Sequence, residues 1–496
     1  MPNKNFLKNT LLAIFLVSTS TYCFAVNVSA SKINVESQIV ANANDHCKGD
    51  ERSLECVPEY HYQYIDVNNY IMNPYNGMPS GGGTQVVLES GILGQSKLDQ
   101  LMHNGTYNVV GLASMVNLQG SNNYAYGTNI FAQTGHVNGF AVGGMLEVIN
   151  PFLQPGSRYL DGKISYAALP NSQVVSPSEL YLEYQIPDKF QLNVGRIFIG
   201  DVPWMNSYDD SMIVSADFQG ALANYQISKD WRLSAVATNA YQEFSSNSFN
   251  HDTQYNKQYN GDGWPLGANV PSANAYALGG IYKPAEDYTL NLWGYNFEGY
   301  ANMLYADTNY KIHLADKHSL NLGVQAGNQN TLGMSTNVMQ QAGFGTPSSY
   351  LAGAKIGYDY SYWLQTELSF DGMYGPDNAF YQGGFVSPYT YGIVNDPLYT
   401  SGLAGGLIEQ GAGNSWRVAT TFKPLYDDLK FELAYEKFVT ASPMDSYDLD
   451  VKYKPFHNSM KGLVLHLWVN YTSGPATNVT NPGYFTFIQT MASYSY

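Results

Sequence analysis

Residues 304–327 read LYADTNYKIHLADKHSLNLGVQAG, and this stretch determines the fold class that we predict for the chain. Up to Leu314, apolar or small residues at even positions alternate with mainly polar residues at odd positions. A turn at 316–318 follows, and the alternation resumes from Leu320 to Ala326. Successive side chains of a strand point to opposite faces. The stretch therefore predicts a hairpin of two strands with one apolar face and one wet face.

The same pattern recurs along the chain from about residue 106 onward. Further hairpins are predicted near 123–149, 180–197, 218–239, 275–297, 350–370, 416–435 and 449–469. An opening strand near 106–118 and a closing strand at 484–496 bring the total to 18, with 16 as the alternative count. Such alternation, with tight turns at one end and long loops at the other, is typical of outer-membrane barrels. We predict an all-β fold, a transmembrane antiparallel β-barrel over 106–496 with short periplasmic turns and long external loops.

The composition agrees with a barrel and excludes several other classes. Only 13% of the residues are charged, whereas the chain has 42 Tyr and 47 Gly. A soluble enzyme of ordinary composition is about one quarter charged. A barrel wall instead needs neutral polar residues toward the lumen and aromatic residues at the two lipid–water interfaces. The formal net charge of −16 makes nucleic acid a poor partner, because its phosphates require Lys and Arg.

The first 25 residues have the features of a secretory signal peptide. Lys4 and Lys8 form a positive region, residues 11–17 form an apolar core and residues 23–25 form a cleavage site, with 28–30 as the second choice. Seven apolar residues are too few to span about 30 Å of hydrocarbon. Cleavage would remove two of the 24 basic residues and none of the 40 acidic ones, so the mature net charge becomes −18. Export together with the barrel pattern predicts the outer membrane of a Gram-negative bacterium.

Residues 26–105 lack sustained alternation, and we interpret them as a non-barrel extension that lies in the periplasm or in the lumen. Cys47 and Cys56 stand nine positions apart in this extension. In an oxidising compartment two such cysteines are expected to form a disulfide that closes a small loop. No ligand spacing of a recognised metal site accompanies them, so we predict no metal.

Residues 195–220 carry a resemblance to a known family. They read GRIFIGDVPWMNSYDDSMIVSADFQG, and the positions that match the family pattern are Gly195, Arg196, Pro203, Asn206, Asp210, Met212, Phe218 and Gly220. This stretch resembles the OprD-type family of substrate-specific outer-membrane porins. The resemblance implies that the loop after strand five folds inward as the pore constriction. The family guides carboxylates along an arginine-rich ladder, whereas this chain has five arginines in all.

The candidate site is a lumen with charges of both signs. Acidic residues cluster in the predicted constriction loop near 198–217, and they are Asp201, Asp209, Asp210 and Asp217. Basic residues predicted to lie on the lumen wall are Arg196, Lys311, Lys355, Arg417, Lys430 and Lys452. Carboxylates in a narrow passage concentrate cations and repel anions. Each of these residues also has a plainer interpretation, as a solvated side chain of the lumen or of a loop.

Two functions follow from these features. The first is a porin for passive diffusion of ions and small hydrophilic solutes, with a preference for cations. The second is a plugged receptor or adhesin whose external loops bind a ligand, with residues 26–105 as the plug. No nucleophile motif, catalytic constellation or phosphate-binding loop is present, so neither an enzyme nor a cofactor is predicted. The expected partners are membrane lipid and lipopolysaccharide, the transported solutes, a homotrimer, and the barrel-assembly machinery, whose signal the terminal Tyr494-Ser495-Tyr496 resembles.

Overall fold

The structure is a computed structural model of the chain. It describes residues 105–118, 121–153, 169–170, 173–207, 213–242, 248–251, 274–332, 334, 340, 345–389, 397–403, 406–424, 428–455, 462–474 and 484–495. The predicted signal peptide, the extension up to residue 104, both cysteines, Asp209 and Asp210 lie outside these residues.

The described residues form eighteen strands, numbered here in chain order. The first nine are β1 (Thr106–Leu118), β2 (Ser121–Gln133), β3 (Phe140–Leu153), β4 (Val174–Ile186), β5 (Phe190–Ile197), β6 (Asp217–Ser228), β7 (Trp231–Gln242), β8 (Ala275–Ala285) and β9 (Tyr288–Phe297). The other nine are β10 (Ala301–Ala315), β11 (His318–Asn330), β12 (Ser349–Tyr360), β13 (Leu364–Tyr374), β14 (Gly413–Phe422), β15 (Leu429–Thr440), β16 (Met444–Tyr453), β17 (Leu463–Ser473) and β18 (Tyr484–Ser495). Two short 3₁₀ helices, Phe380–Gly383 and Leu407–Glu409, follow β13. Within the described part, no helix has the length and apolar character that a membrane span requires.

The sheet closes on itself. Each strand pairs antiparallel with its neighbours in sequence, and β1 pairs with both β2 and β18. At this seam Ala113 stands opposite Tyr126 on one side and Ala492 on the other. Closure leaves no unpaired sheet edge, which is the condition for a β-structure to cross hydrocarbon. The prediction of a closed antiparallel barrel is confirmed, with 18 strands rather than the alternative 16.

Side-chain alternation gives the wall an apolar outside and a mostly polar inside. In β10, Leu304 is 63% exposed on the outer face, whereas the neighbouring inward Tyr305 and Asp307 are 4% and 8% exposed. The same division holds around the barrel, where large outward residues such as Leu278, Leu433 and Tyr350 are among the most exposed apolar side chains. Such a surface would be unstable in water and is suited to lipid.

The two ends of the barrel differ in their connections. One end has tight turns, such as Asn138-Gly139, where both residues have positive φ (53° and 85°). An Asn-Gly pair of this kind forms the two-residue turn whose twist matches that of the strands. The strand ends at the opposite end of the barrel are joined by the five longest connections, which comprise residues 154–173, 198–216, 243–274, 331–348 and 375–412. Described residues of two of these connections, 198–216 and 375–412, lie in the lumen.

Candidate functional site

The connection between β5 and β6, residues 198–216, is here called loop A. Its described residues, 198–207 and 213–216, are packed inside the barrel. Its Ile199, Trp204 and Met205 are fully buried, and Val202 is 1% exposed. Trp204 makes an edge contact with inward-facing Tyr305 of β10, at 6.0 Å between ring centroids. The Tyr295 hydroxyl of β9 donates a hydrogen bond to the Pro203 carbonyl. The apolar side chains of loop A therefore fold onto the inner wall because that wall offers an aromatic surface.

Strand β9 supplies much of this surface. Its inward residues Trp293, Tyr295 and Phe297 stack along the strand, with centroid separations of 6.1 and 5.6 Å. Each aromatic contact of this type contributes about 0.5–1.5 kcal/mol beyond the burial of area. An apolar stripe inside the lumen would be costly in contact with water. Loop A covers part of it, which favours the inward position of the loop.

Polar contacts fix both ends of loop A. At its start, Asp201 forms an ion pair with Arg232 of β7 at 2.5 Å. At its end, the Ser215 amide and hydroxyl both donate to the Glu147 carboxylate of β3, at 2.9 and 3.0 Å. The Ser215 hydroxyl also contacts the Asp217 carboxylate. Glu147 and Asp217 are fully buried, so these contacts are desolvated and strong.

The connection between β13 and β14, residues 375–412, is here called loop B. Described residues of loop B also lie in the lumen. Its Phe385 and Val386 are fully buried, and Phe385 packs edge-on against Trp204 of loop A at 4.9 Å. The Ser387 hydroxyl donates to the Trp204 carbonyl at 2.5 Å. The sequence pattern does not predict this second inserted loop. A signal was present, since a 38-residue connection with two Phe and four Tyr residues is too long and too apolar for a solvated loop.

Loop B is bonded to the wall at points on three strands. The Val386 carbonyl accepts a hydrogen bond from Gln329 of β11 at 2.6 Å. The Thr400 amide and hydroxyl donate to Asp371 of β13, at 2.7 and 2.9 Å. The Leu403 amide donates to Asp448 of β16 at 2.7 Å. The contacts run from β11 to β16, so loop B passes across the inner surface of several strands.

The predicted basic residues of strands β10–β17 face inward, where four of them form ion pairs with carboxylates on the same wall. Lys311 contacts Asp359 at 3.0 Å, and Lys355 contacts Glu367 at 3.6 Å. Arg417 contacts Glu432 at 2.7 Å and Glu436 at 3.0 Å. Lys430 contacts Glu432 at 3.0 Å and Asp450 at 3.5 Å. Lys452 lies between Lys430 and His466 in the register of β15–β17.

Carboxylates outnumber cations on this part of the wall. On strands β10–β17, all of whose residues are described, eight carboxylates face inward, namely Asp307, Asp359, Glu367, Asp371, Glu432, Glu436, Asp448 and Asp450. Five Lys or Arg residues face inward there, namely Lys311, Lys355, Arg417, Lys430 and Lys452. The inward face of these strands therefore carries a formal excess of negative charge, and four of its carboxylates, Asp307, Asp371, Glu436 and Asp448, are buried.

Arg196 is a correction to the prediction. The register pairs it with Leu180, which is 56% exposed on the outer face, and cross-strand partners share a face. Its guanidinium donates to the Pro177 carbonyl at 3.0 Å and lies 4.6 Å from the centre of the Phe249 ring. Arg196 therefore belongs to the outer rim rather than to the lumen wall. The arginine that meets loop A is Arg232 instead.

The acidic residues of loop A occupy different places. Asp201 is held by Arg232, and Asp217 opens β6 in a fully buried position. Asp209 and Asp210 lie outside the described residues. The structure thus shows Asp201 and Asp217 as contacts that attach loop A to the wall.

Tyr399 of loop B marks where loop B meets the charged wall. The Lys355 ammonium lies 4.8 Å from the centre of its ring. Burial, followed by the nearby charges of Asp307, Asp371 and Glu367, raises the pKa of the Tyr399 hydroxyl above its usual value. The hydroxyl therefore stays neutral at physiological pH. A neutral phenol can lie against these carboxylates without adding to their repulsion.

No family model and no curated protein matches the chain. Solved structures do match its fold. OccK8 (OprE) of Pseudomonas aeruginosa aligns with a TM-score of 0.63 and 13% identity over 79% of this chain and 98% of that chain. OpdK of the same organism, solved with vanillate, aligns with a TM-score of 0.64 and 14% identity over 80% and 99%. OprD, also of Pseudomonas aeruginosa, aligns with a TM-score of 0.61 and 14% identity over 80% of this chain and 96% of that chain. The likeness predicted from residues 195–220 is confirmed at the level of the barrel fold.

Proposed function

We propose that the protein is a channel of the Gram-negative outer membrane through which ions and small hydrophilic solutes diffuse passively. The observation that carries this proposal is a closed barrel with an apolar outside and a charged lumen that is narrowed by two attached loops. The apolar outside fits a bilayer, and the charged inside fits water. The structures that share the fold include the porins named above, which supports the same function.

The channel is proposed to prefer cations. The support is the excess of inward carboxylates on β10–β17 and a net charge of −16 for the whole chain. A passage lined by one sign of charge raises the local concentration of the opposite ion. The test is the reversal potential of the purified protein in a planar bilayer with a KCl gradient. A potential with the sign of potassium permeation supports the preference, and one with the sign of chloride permeation refutes it.

Loop A is proposed as a constriction, together with loop B. Loop A is attached at Asp201 and Ser215, and Trp204 connects it to Phe385 of loop B. Two loops that hold each other can narrow the passage in a fixed position. The sequence predicts loop A alone as the constriction, and the contacts of loop B with Trp204 support its inclusion.

The second function, a plugged receptor or adhesin, depends on residues 26–105. The deciding experiment is swelling of liposomes that contain either the mature protein or a variant without residues 26–105, in an isosmotic sugar solution. Swelling by the mature protein supports a diffusion channel. Swelling only after the deletion contradicts it and favours a plugged receptor.

The proposed surroundings are outer-membrane lipid and lipopolysaccharide on the apolar face, with barrel-assembly machinery acting during biogenesis. A homotrimer, the disulfide between Cys47 and Cys56 and the signal peptide also stay predictions. Mass spectrometry of the mature protein under non-reducing conditions tests the last two together. A start at residue 26 and a mass lower by two hydrogens are the expected results.

A further inference from the structure

The external edge of the outer face changes its chemical character at β9–β11. Exposed Tyr276 of β8 and Tyr350 of β12 face outward at this edge, as expected for the aromatic girdle at a lipid–water interface. Between these two tyrosines the register places asparagines at the same edge of the wall. This set, here called the amide patch, consists of Asn296 of β9, Asn302 of β10, and Asn328 and Asn330 of β11.

The amide patch is held together by its own hydrogen bonds. Asn296 Nδ2 donates to Asn302 Oδ1 at 2.7 Å, and Asn330 Nδ2 donates to Asn328 Oδ1 at 2.7 Å. Asn302 Nδ2 donates to the Leu332 carbonyl at 2.9 Å. A side-chain amide has two N–H donors and an oxygen with two lone pairs, so these bonds use only part of its capacity. Amides that face lipid are costly unless polar groups meet them.

Directly below the amide patch, toward the membrane centre, the outer wall has a depression of about 510 Å³. Its floor is formed by the small residues Gly294, Ala306 and Ala326, and Leu292 and Leu304 stand beside them. The register places Ala306 opposite both Leu292 and Ala326, so large and small outward residues lie next to each other across these strands. This alternation produces a hollow in the lipid-facing surface.

A second depression of about 310 Å³ continues the first one along the same two strands. It is lined by Thr308 and Val324, the next outward residues after Ala306 and Ala326. From Asn302 to Thr308 the strand advances by about 20 Å, at roughly 3.4 Å per residue. With a strand tilt of about 40°, this distance is roughly 15 Å along the membrane normal, or half of the hydrocarbon thickness. The two depressions, here called the outer groove, therefore have the depth of a single acyl chain in the external leaflet.

The charges near the amide patch argue against recognition of a phosphate. On β9–β11, all of whose residues are described, the Lys, Arg, Asp and Glu residues are Asp307 and Lys311, and both face the lumen. The β9–β10 connection adds the Glu298 carboxylate, which accepts a hydrogen bond from Asn274 at 2.8 Å. A phosphate is bound by cations and repelled by a carboxylate. The complementary head group therefore offers uncharged hydroxyl and amide groups, as a sugar does.

We propose that the outer face of β9–β11 binds an acylated saccharide lipid of the external leaflet. The sugar hydroxyls bond the amide patch between Tyr276 and Tyr350, and an acyl chain lies in the outer groove. Hydrocarbon gives no hydrophobic driving force, so the chain is held by the dispersion contacts that a groove offers and a flat wall does not. The inference rests on the outer-membrane surroundings proposed above, and it names the place on the barrel where such a lipid is held.

The test uses the full-length mature protein folded in an uncharged amine-oxide detergent. The protein is incubated with lipid A, with lipid A from which the phosphates have been removed, or with phosphatidylethanolamine, and native mass spectrometry then counts the lipids that each protein retains. Wild-type protein is expected to retain a lipid A molecule at about tenfold lower lipid concentration than phosphatidylethanolamine. Removal of the phosphates should leave this retention unchanged.

Variants separate the groove from the amide patch. Ala306→Leu fills the outer groove and should weaken retention of lipid A by about tenfold. Asn302→Leu removes a head-group contact, so it should weaken retention of lipid A but not of phosphatidylethanolamine. Ala132→Leu is the matched control, because Ala132 is an exposed outward alanine of β2, away from the groove, and it should retain lipid A as wild type does.

Equal retention of lipid A by wild type and Ala306→Leu would overturn the proposal, as would equal retention of lipid A and phosphatidylethanolamine by wild type. A lipid-free mass of two protein copies would also overturn it, since this face would then join two copies. If Ala306→Leu does not fold, Asn302→Leu still decides through its two lipids. Single-channel conductance is recorded with the same samples. Protein that retains lipid A but conducts no current refutes only the channel, and conducting protein that retains none refutes only the lipid site.

Discussion

Replacement of Trp204 by alanine is the most informative change in the lumen, because Trp204 is the residue through which loop A and loop B touch. Its side chain is fully buried and contacts Tyr305 of the wall and Phe385 of loop B. Removing a buried tryptophan costs about 3–5 kcal/mol. This free energy is lost from the attachment of loop A and loop B to each other and to the wall, because the strands keep their own hydrogen bonds.

A loss of about 3 kcal/mol changes the ratio of attached to detached loops by roughly a hundredfold. The contacts of Ser387 with the Trp204 carbonyl and of Asp201 with Arg232 remain, so the loops should loosen without leaving the barrel altogether. Trp204→Ala is therefore expected to admit larger sugars in liposome swelling and to give higher single-channel conductance. The heat-modifiable migration of the barrel in SDS gels should stay unchanged.

Trp416→Ala serves as the matched control. Trp416 is also on the wall but is 48% exposed on the outer face. Its loss should affect neither conductance nor the size limit for sugars. If Trp204→Ala and Trp416→Ala have the same conductance and the same size limit as wild type, the reasoning about the two loops is refuted.

Three further predictions concern single contacts. Arg232→Gln removes the ion pair of the buried Asp201 carboxylate with β7, so loop A should become more sensitive to limited proteolysis. Lys229→Gln in the adjacent turn should have no such effect, and equal resistance of both variants would contradict the role of the ion pair. Asp371→Asn weakens the hydrogen bonds to Thr400, but Gln329 and Asp448 still hold loop B. The increase in conductance over wild type should therefore be several-fold smaller than the increase caused by Trp204→Ala. A conductance above that of Trp204→Ala would contradict this order of the contacts. Gly139→Val forces a β-branched residue to φ of 85° and places its Cβ 2.6 Å from the Gln185 carbonyl oxygen. Refolding into detergent should therefore be slower, and the melting temperature should be lower. No change in either quantity would contradict the need for glycine at this turn.

The fold could be predicted from the sequence because the alternation between lipid-facing and lumen-facing residues is local. In β10 and β11 the pattern of Leu304–Leu314 and Leu320–Ala326 appears within single strands, and it gave the hairpin as the structure has it. The count of 18 strands follows because the same alternation recurs in the other strands of the chain. Alternation places Arg196 on the outer face together with Val194, and the prediction of a lumen position was wrong because it relied on the charge of Arg196 alone.

The lumen was harder to predict than the wall. Loop A was expected to fold inward through its resemblance, but its anchors at Arg232 and Glu147 are far away in sequence and carry no local pattern. Loop B was missed because its contacts to Gln329, Asp371 and Asp448 come from three separate strands. The basic residues of β10–β17 lie on the inner face in the structure, and their carboxylate partners depend on the register between strands, which composition does not reveal.

The most direct test of the central claim is single-channel recording of the purified, detergent-folded mature protein in a planar bilayer with KCl on both sides. If the barrel is a passive channel, the wild-type protein should give discrete, repeated conductance steps without added ligand. These steps should be smaller than those of the Trp204→Ala variant. A bilayer that stays silent with correctly folded wild-type protein would contradict the account.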